Sequence, residues 1–373
     1  MGKHLVLVGG GHAHMVTLAN LDKFMEKGHN VTVIGPSIRH YYSGMGPGMF
    51  SRIYTPDDIR FATQRVVEKQ GGSFILGKVT RIDPEEKMVY LDSGKTVSYD
   101  VLSFNAGSYV PQAAVTGEDK DIYAVKPIER LLEAQVRILE LVSRNKISVG
   151  IIGGGASALE ISGNLWRLCK DSGKNRPHIQ VFAGKKFMSR YPEKVNKLAR
   201  RSLTERGIKV IENHYVKEVE TGQVTLESGQ AYDVDFIFLA LGVRPSPIFA
   251  ASDLPTGPDG GLRVNQYLQS TGYPEIFGGG DCIYFEEKPL DKVGVYAVRE
   301  NPVIYHNLMA ALEETALQPF DPGGDYLLIF NLGDGTGILV KQRLIFRGRL
   351  AFKIKNYIDT KFMKKFQSIE NSS

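Results

Sequence analysis

Cysteine is nearly absent from this chain. Its 373 residues contain two, Cys169 and Cys282, and no CxxC or CxxxxC spacing occurs. That argues against a disulfide scaffold, a cysteine-rich metal site and a local redox-active dithiol. Long hydrophobic runs are also lacking: with no stretch of 18 apolar residues, no spanning helix is expected. Residues 4–9, HLVLVG, lead straight into glycines with no cleavage pattern after them. Val6 stands where N-myristoylation requires Ser or Thr. A cytoplasmic chain is expected, with no sign of a nucleic-acid partner.

The rest of the composition is that of a globular protein, 42% hydrophobic and 23% charged, and long enough for two or three modules. The net charge of +5 is unevenly placed. Residues 341–365 hold nine Lys/Arg and one acid, Asp359, a local sum of +8, which leaves −3 for everything else.

What the chain has in excess is glycine, 40 residues, many of them in short clusters. The clusters belong to an internal repeat. HLVLVGGGHAHMVTLANL (4–21) and ISVGIIGGGASALEISGNLW (147–166) each run from an apolar strand through three glycines into a helical pattern, and each is followed by another strand, NVTVIG (30–35) or HIQVFAG (178–184). Farther on, 79–107 and 216–242 share turn signals between short β-type runs and end in a strand closed by Gly107 or Gly242. Gly9 and Gly153 are 144 residues apart, Gly107 and Gly242 are 135 apart, and such similar offsets describe two copies of one module. The expected fold is α/β: two Rossmann-like parallel sheets, one module inserted in the other, with a small α+β module at the C-terminus.

Glycines at a strand-to-helix turn let a dinucleotide pyrophosphate approach backbone N–H groups, where the helix end adds partial positive charge. The first copy reads Gly9-x-Gly11-x-x-His14, with a histidine in place of the third glycine. The second, Gly153-x-Gly155-x-x-Ala158, fits the pattern. Both copies lack the carboxylate that normally binds the adenosine ribose at the end of the second strand. Ser37 or Arg39 is left to take that contact in the first copy. In the second, Lys185, Lys186 and Arg190 either meet a 2′-phosphate or form a solvated face. His12 and His14 have no further metal ligands beside them, so contacts to the phosphate are expected of them rather than a metal site.

On these residues, the chain resembles the two-dinucleotide-domain flavoproteins of the pyridine nucleotide-disulfide oxidoreductase superfamily, which include type II NADH dehydrogenases and sulfide:quinone reductases. It is similar above all to the oxidoreductase domain found fused to selenide, water dikinase, through Tyr42-Ser43-Gly44-Met45-x-Pro47-Gly48, Gly294-Val295-Tyr296-Ala297-Val298-Arg299 and Ile358-Asp359-x-x-Phe362-Met363. The resemblance implies FAD in a domain formed by 1–112 and 243–315, NADH or NADPH in a domain formed by 113–242, and a C-terminal module over 316–373 that opens with a hairpin (326–342). It implies hydride transfer from NAD(P)H to flavin and electron delivery to a second acceptor, a quinone among the candidates.

The family's third flavin motif is matched by IFGGGDC (276–282), in which Gly280 and Asp281 would meet the ribityl and pyrophosphate region. Residues 292–302, with Tyr296 and Ala297, resemble the helix whose N-terminus faces the flavin. The resemblance places His12, Ala13, Ala106 and Gly107 with Gly9 and Gly11 around FAD, and Ala156 and Gly242 with Gly153 and Gly155 around the nicotinamide dinucleotide. Tyr41, Tyr42 and Ser43 fall on the flavin loop. Glu160 matches a glutamate near the nicotinamide and is the candidate catalytic residue, with a buried structural role as the alternative. Cys282 reads as a small buried hydrophobe, which disfavours sulfide oxidation.

Between Leu350 and Phe366, steps of three and four align Leu350, Ile354, Tyr357, Ile358, Phe362 and Phe366, with lysines around them. An interfacial helix on a membrane surface is expected; packing on the protein's own sheet, or across a homodimer, is the other reading. A nucleotide-binding regulatory protein with little turnover is the alternative function, favoured by the missing ribose carboxylates.

Overall fold

The run Leu5-Val6-Leu7-Val8 offers no polar residue to solvent, as suits a parallel strand covered on both faces. In the computed structural model, which describes residues 2–112, 114–116 and 120–371, it forms β1 (His4–Val8), with Leu5, Val6 and Leu7 wholly buried. Chain order then gives β2 (Asn30–Gly35), β3 (Ser73–Leu76) and β4 (Val101–Phe104). Next come β5 (Ile122–Ala124), β6 (Ser148–Ile152), β7 (His178–Phe182), β8 (Lys209–Ile211) and β9 (Phe236–Leu239). The strand β10 (Ile276–Gly278) returns to the first sheet. The two five-stranded sheets are β10-β4-β1-β2-β3 and β5-β9-β6-β7-β8, parallel throughout.

The repeat read from the sequence is visible in the register. His4 faces Asn30 in the first copy and Ser148 faces His178 in the second. Each copy also carries a three-stranded antiparallel meander, at 79–98 and at 216–233. The cores are less separate than the sequence implies. Met45, Met49 and Phe50 precede β3 in the chain yet pack in the core of the second sheet, where Phe50 meets Phe238 edge to face with ring centres 5.4 Å apart. The loop carrying Tyr41, Tyr42 and Ser43 is therefore anchored at one end by the first sheet and at the other by the second.

The C-terminal module corrects one expectation. Residues 326–342 do contain a hairpin, β11 (Leu328–Asn331) with β12 (Gly337–Lys341), but a third antiparallel strand, β13 (Leu344–Gly348), completes a sheet. The second turn is made by Gln342 and Arg343, with Gln342 at φ 51°. A turn without Gly or Asn gives little signal in a sequence.

Two helices matter for the site, α1 (Ala156–Asp171) after the second glycine turn and α2 (Gly294–Glu313) after β10. The sheet of the C-terminal module rests on α1 through glycines. A Cβ on Gly163 would lie 2.3 Å from the Leu332 carbonyl oxygen, and one on Gly333, at φ 77°, would lie 2.2 Å from that of Gly163. Arg206 donates to the Leu332 carbonyl, and Arg167 donates to that of Gly333 at 3.2 Å.

The chain ends in α3 (Arg349–Asn371). Its apolar positions do not form the single outward stripe expected. Phe366 (6% exposed) and Met363 (1%) face the protein, with Phe362 partly buried, whereas Leu350 (61%), Tyr357 (66%) and Ile358 (44%) face solvent. The six expected positions spread over half the helix circumference, so one edge packs inward and the other is exposed.

Gly163→Ala should destabilise the protein by roughly 1–3 kcal/mol, the cost of overpacking a close contact. A comparison of thermal unfolding with that of the unaltered protein checks this, and an unchanged melting temperature would show that the α1–β11 contact yields freely.

Candidate active site

Both glycine turns open into one cavity of about 1570 Å³. Pockets for one small ligand measure about 300–1,000 Å³, so this space suits more than one. At its two ends the local geometry is the same. Gly9 (φ 92°) and Gly153 (φ 143°) sit where a Cβ would lie 2.3 Å from the Asn105 carbonyl oxygen and 2.2 Å from that of Ala240. Only glycine tolerates both the backbone angle and the approach. Toward the cavity the reverse holds: nothing lies within 4 Å of a Cβ built on Gly107, Gly155, Gly242 or Gly294, all of which line it. Those glycines leave room for a ligand.

Most of the expected residues meet here. Gly9, Gly11, His12, Ser37, Arg39, Ser43, Ala106, Gly107, Gly280, Asp281 and Ala297 line one part of the cavity; Gly153, Gly155, Ala156, Glu160, Lys185, Lys186 and Gly242 line the other. Tyr41 and Arg190 line it as well. Three expected residues do not. Ala13 is buried under the first turn, Tyr296 packs edge to face with Tyr326, and Tyr42 turns toward α3.

His14 also departs from expectation, being wholly buried rather than on the phosphate side of the turn. Its Nδ1 lies 2.7 Å from the Gly9 carbonyl and its Nε2 2.8 Å from Ser103 Oγ. Burial pushes its pKa down to about 4 against the raising effect of the Gly9 bond, so a neutral ring props the turn from beneath.

Asp281 accepts from Ser108 Oγ at 2.7 Å and from Lys126 Nζ at 2.9 Å. Burial alone would raise its pKa, but Lys126, Ser108 and Lys292 outweigh it and hold the carboxyl below its usual range. Lys126 follows β5, so this ion pair joins the two sheet modules. Cys282 is fully buried, its thiol 3.2 Å from the Gly279 carbonyl and its pKa pushed up to about 12 by burial, which keeps it protonated.

Glu160, on α1, lines the cavity and also accepts from the Asn331 N–H at 2.7 Å. Burial raises its pKa to about 7, opposed by Lys355. Lys355 on α3 donates to Asp359 at 2.8 Å and to the Gly44 carbonyl at 2.9 Å, and Tyr42 donates to the other oxygen of Asp359 at 3.1 Å. Two carboxyls, one ammonium and a phenol thus gather where α3 crosses the loop 41–45. Of these groups Glu160 is the one that burial brings near neutrality, whereas Tyr42 and Lys355 hold their protons more firmly than usual.

These geometries match a known family. A family model described as pyridine nucleotide-disulphide oxidoreductase matches residues 3–307. The chain belongs to that family. Ferroptosis suppressor protein 1 of Taeniopygia guttata is 26% identical over 279 residues, 72% of this chain and 71% of that protein. A type II NADH:quinone oxidoreductase of Staphylococcus aureus is 23% identical across 98% of this chain and 96% of that one. The structure of NDH2 from Plasmodium falciparum in complex with NADH superposes with a TM-score of 0.84 at 14% identity, covering 99% of this chain and 97% of that one.

The protein is accordingly an FAD-dependent oxidoreductase that takes a hydride from NAD(P)H, and the residues present fit both cofactors. Bound FAD supplies the ring that accepts the hydride. The chain supplies the rest: open glycine turns for two pyrophosphates, and the N-terminus of α2, whose Val293 and Gly294 line the cavity and bring partial positive charge. Among the described residues no group of three or more His, Cys, Asp or Glu is placed to hold a metal ion.

The residues that hold these parts together were not singled out in the sequence. Asn105 accepts from the Ala13 N–H at 3.2 Å and donates to the Gly279 carbonyl at 2.8 Å. Glu300 accepts from the Gly280 N–H at 2.5 Å, and Asn301 donates to the His12 carbonyl at 2.7 Å. Their one signal is polarity within apolar segments, Asn105 after VLSF and Glu300-Asn301 inside α2.

Asp281→Ala should lower FAD retention roughly 5- to 150-fold, since it leaves hydroxyl and ammonium donors without an acceptor at a cost of about 1–3 kcal/mol. The flavin-to-protein absorbance ratio after gel filtration measures it, and full retention would remove Asp281 from the binding set.

Proposed function

We propose that this chain passes electrons from NAD(P)H through FAD to a quinone at a membrane surface. The observation that carries the reading is the double role of α3. Its inner edge brings Lys355, Asp359 and Phe362 against the flavin loop, while its outer edge exposes Leu350, Tyr357 and Ile358 among Lys353, Lys361, Lys364 and Lys365. An exposed apolar strip flanked by lysines gains from shallow burial in lipid and from attraction to anionic headgroups, at most about 1 kcal/mol per basic residue, reduced by salt. No helix among the described residues is long and apolar enough to cross a membrane. The Staphylococcus aureus relative, a type II NADH:quinone oxidoreductase, supports a quinone as acceptor.

Within this reading FAD occupies the module of 1–112 and 243–315, the nicotinamide dinucleotide that of 113–242, and 316–373 serves the acceptor side. Quinone reduction consumes two electrons and two protons, and Glu160, which burial raises to about 7, is the proton-exchanging group at the cavity. The dinucleotide is NADPH at least as readily as NADH. Lys185, Lys186 and Arg190 line the cavity, Lys186 lying 3.2 Å from Glu193, and Glu212, just beyond β8, is engaged by the Phe187 N–H at 2.6 Å and Arg200 at 2.7 Å. The Tyr42–Gly48, Gly294–Arg299 and Ile358–Met363 motifs support a place beside the domains fused to selenide, water dikinase.

Anaerobic mixing should bleach the flavin with NADPH as fast as with NADH or faster, and a short-chain quinone should restore its colour. A strong NADH preference overturns the phosphate role of the lysines; absent reoxidation by quinone overturns the acceptor.

Co-sedimentation with vesicles should require anionic lipid and fall with salt. Because the inner edge of α3 is part of the core, the test is substitution of Leu350, Tyr357 and Ile358 by serine, which should abolish binding. If the unaltered protein stays in the supernatant at low salt, the membrane reading is wrong.

A further inference from the structure

The order β5-β9-β6-β7-β8 gives the second module two sides. Past β9 the chain meets the first module, where Arg244-Pro245 pairs with Ser108-Tyr109. The opposite edge is β8. A dinucleotide has its pyrophosphate at the Gly153–Gly155 turn, between the two, and its nicotinamide toward the flavin. Its adenosine half must then lie across the ends of β7 and β8. What the chain places there is an aromatic ring. Gly184, after β7, bridges to His214, after β8, and a Cβ on Gly184 would lie 2.8 Å from both Cδ1 and Cε1 of Tyr215. Gly184, at φ 66°, lets that ring lie against the backbone. The Tyr215 side of the cavity also holds Lys185 and Val216, and the tyrosine is 56% exposed.

The first module shows that this is a ligand-facing position. The antiparallel meander opens at Val79 in one copy and at Val216 in the other, with the same register shift two residues on, before Arg81 and before Glu218. The residue ahead of the meander is therefore Lys78 in the first copy and Tyr215 in the second, and both line the cavity. A cation at that place suits a phosphate oxygen, whereas an uncharged flat ring suits a base. The lack of a carboxylate gives the ring its importance. Residues 183–186 read Ala-Gly-Lys-Lys, so no acid stands at the end of β7 to take the ribose hydroxyls.

We propose that Tyr215 is the platform on which the adenine ring of the nicotinamide dinucleotide stacks, holding by its face the half of the cofactor that a carboxylate would hold by its ribose. This rests on the placement of the dinucleotide in 113–242 and deepens it. Stacking is indifferent to the ribose 2′ position and nearly so to the base, because every base has a π-face. Tyr215 therefore acts on NADH and NADPH alike, while Lys185 and Lys186 act only where a 2′-phosphate is present. Tolerance of a changed purine follows from the same geometry.

The test uses the FAD-loaded enzyme, mixed anaerobically with NADH, NADPH or reduced nicotinamide mononucleotide, which lacks the adenosine half. Flavin bleaching gives a half-saturating concentration and a limiting rate for each dinucleotide and a second-order rate for the mononucleotide. Tyr215→Ala should raise the half-saturating concentrations of NADH and NADPH by a similar factor, about five- to a hundredfold. The loss should fall on half-saturation rather than on the limiting rate, and the mononucleotide should react as before. Tyr215→Phe, which keeps the ring, should recover most of the loss. Nicotinamide hypoxanthine dinucleotide should bleach the unaltered enzyme about as well as NADH. Unchanged dinucleotide constants in Tyr215→Ala overturn the proposal, and so does an equal loss with the mononucleotide, which would make Tyr215 a support for the whole site. A strong preference for adenine over hypoxanthine also overturns it, since the base would then be read by its edge. Gly155→Val tests the placement separately: a side chain on the open face of the second turn should weaken both dinucleotides whatever stands at 215. If it leaves them unaffected, the placement fails first, and the proposal with it.

Discussion

At each end of the cavity a glycine α-carbon presses against the carbonyl that closes the neighbouring strand, Gly9 on Asn105 and Gly153 on Ala240. Everything else in the site depends on that approach. It lets the chain leave the sheet, expose N–H groups toward the cavity, and enter a helix within a few residues. Because the contact is made by backbone on both sides, it recurs in both modules despite different side chains.

What differs between the modules is the support beneath the turn. In the first, His14 takes the third glycine's place and bridges Gly9 to Ser103. Asn105, Glu300 and Asn301 then tie the turn to the Gly279–Asp281 motif and to α2. The second turn relies on close packing, and the C-terminal module leans on α1 through Gly163 and Gly333. The Lys126–Asp281 pair spans the modules. Side chains near where cofactors bind therefore also fix how the two halves meet.

Along α3, roles that a helical-wheel reading treats as alternatives coexist. Its inner edge completes the core and the buried group around Asp359; its outer edge remains available to a surface. Lys355 shows why charge runs mislead. In the sequence it is one of nine basic residues in a tail, and in the fold it is held between Asp359 and the Gly44 carbonyl, beside Glu160.

The sequence by itself determined the two parallel-sheet modules, the glycine turns and most of the cavity's lining, because these follow from local rules: alternating strand and helix signals, and φ angles that only glycine accepts. Lys185 was legible for that reason, by its place after the second strand of the repeat, whereas Glu160 and Asp281 were reached through the family resemblance. The third strand of the C-terminal sheet was not, since Gln342-Arg343 carries no turn signature. Nor were the pairing of Lys126 with Asp281, the prop formed by His14, or the meeting of His12, His40 and Phe362. Those contacts join residues up to 350 positions apart, and whether a histidine faces a phosphate, a carbonyl or an aromatic ring is decided by what the rest of the chain packs against it.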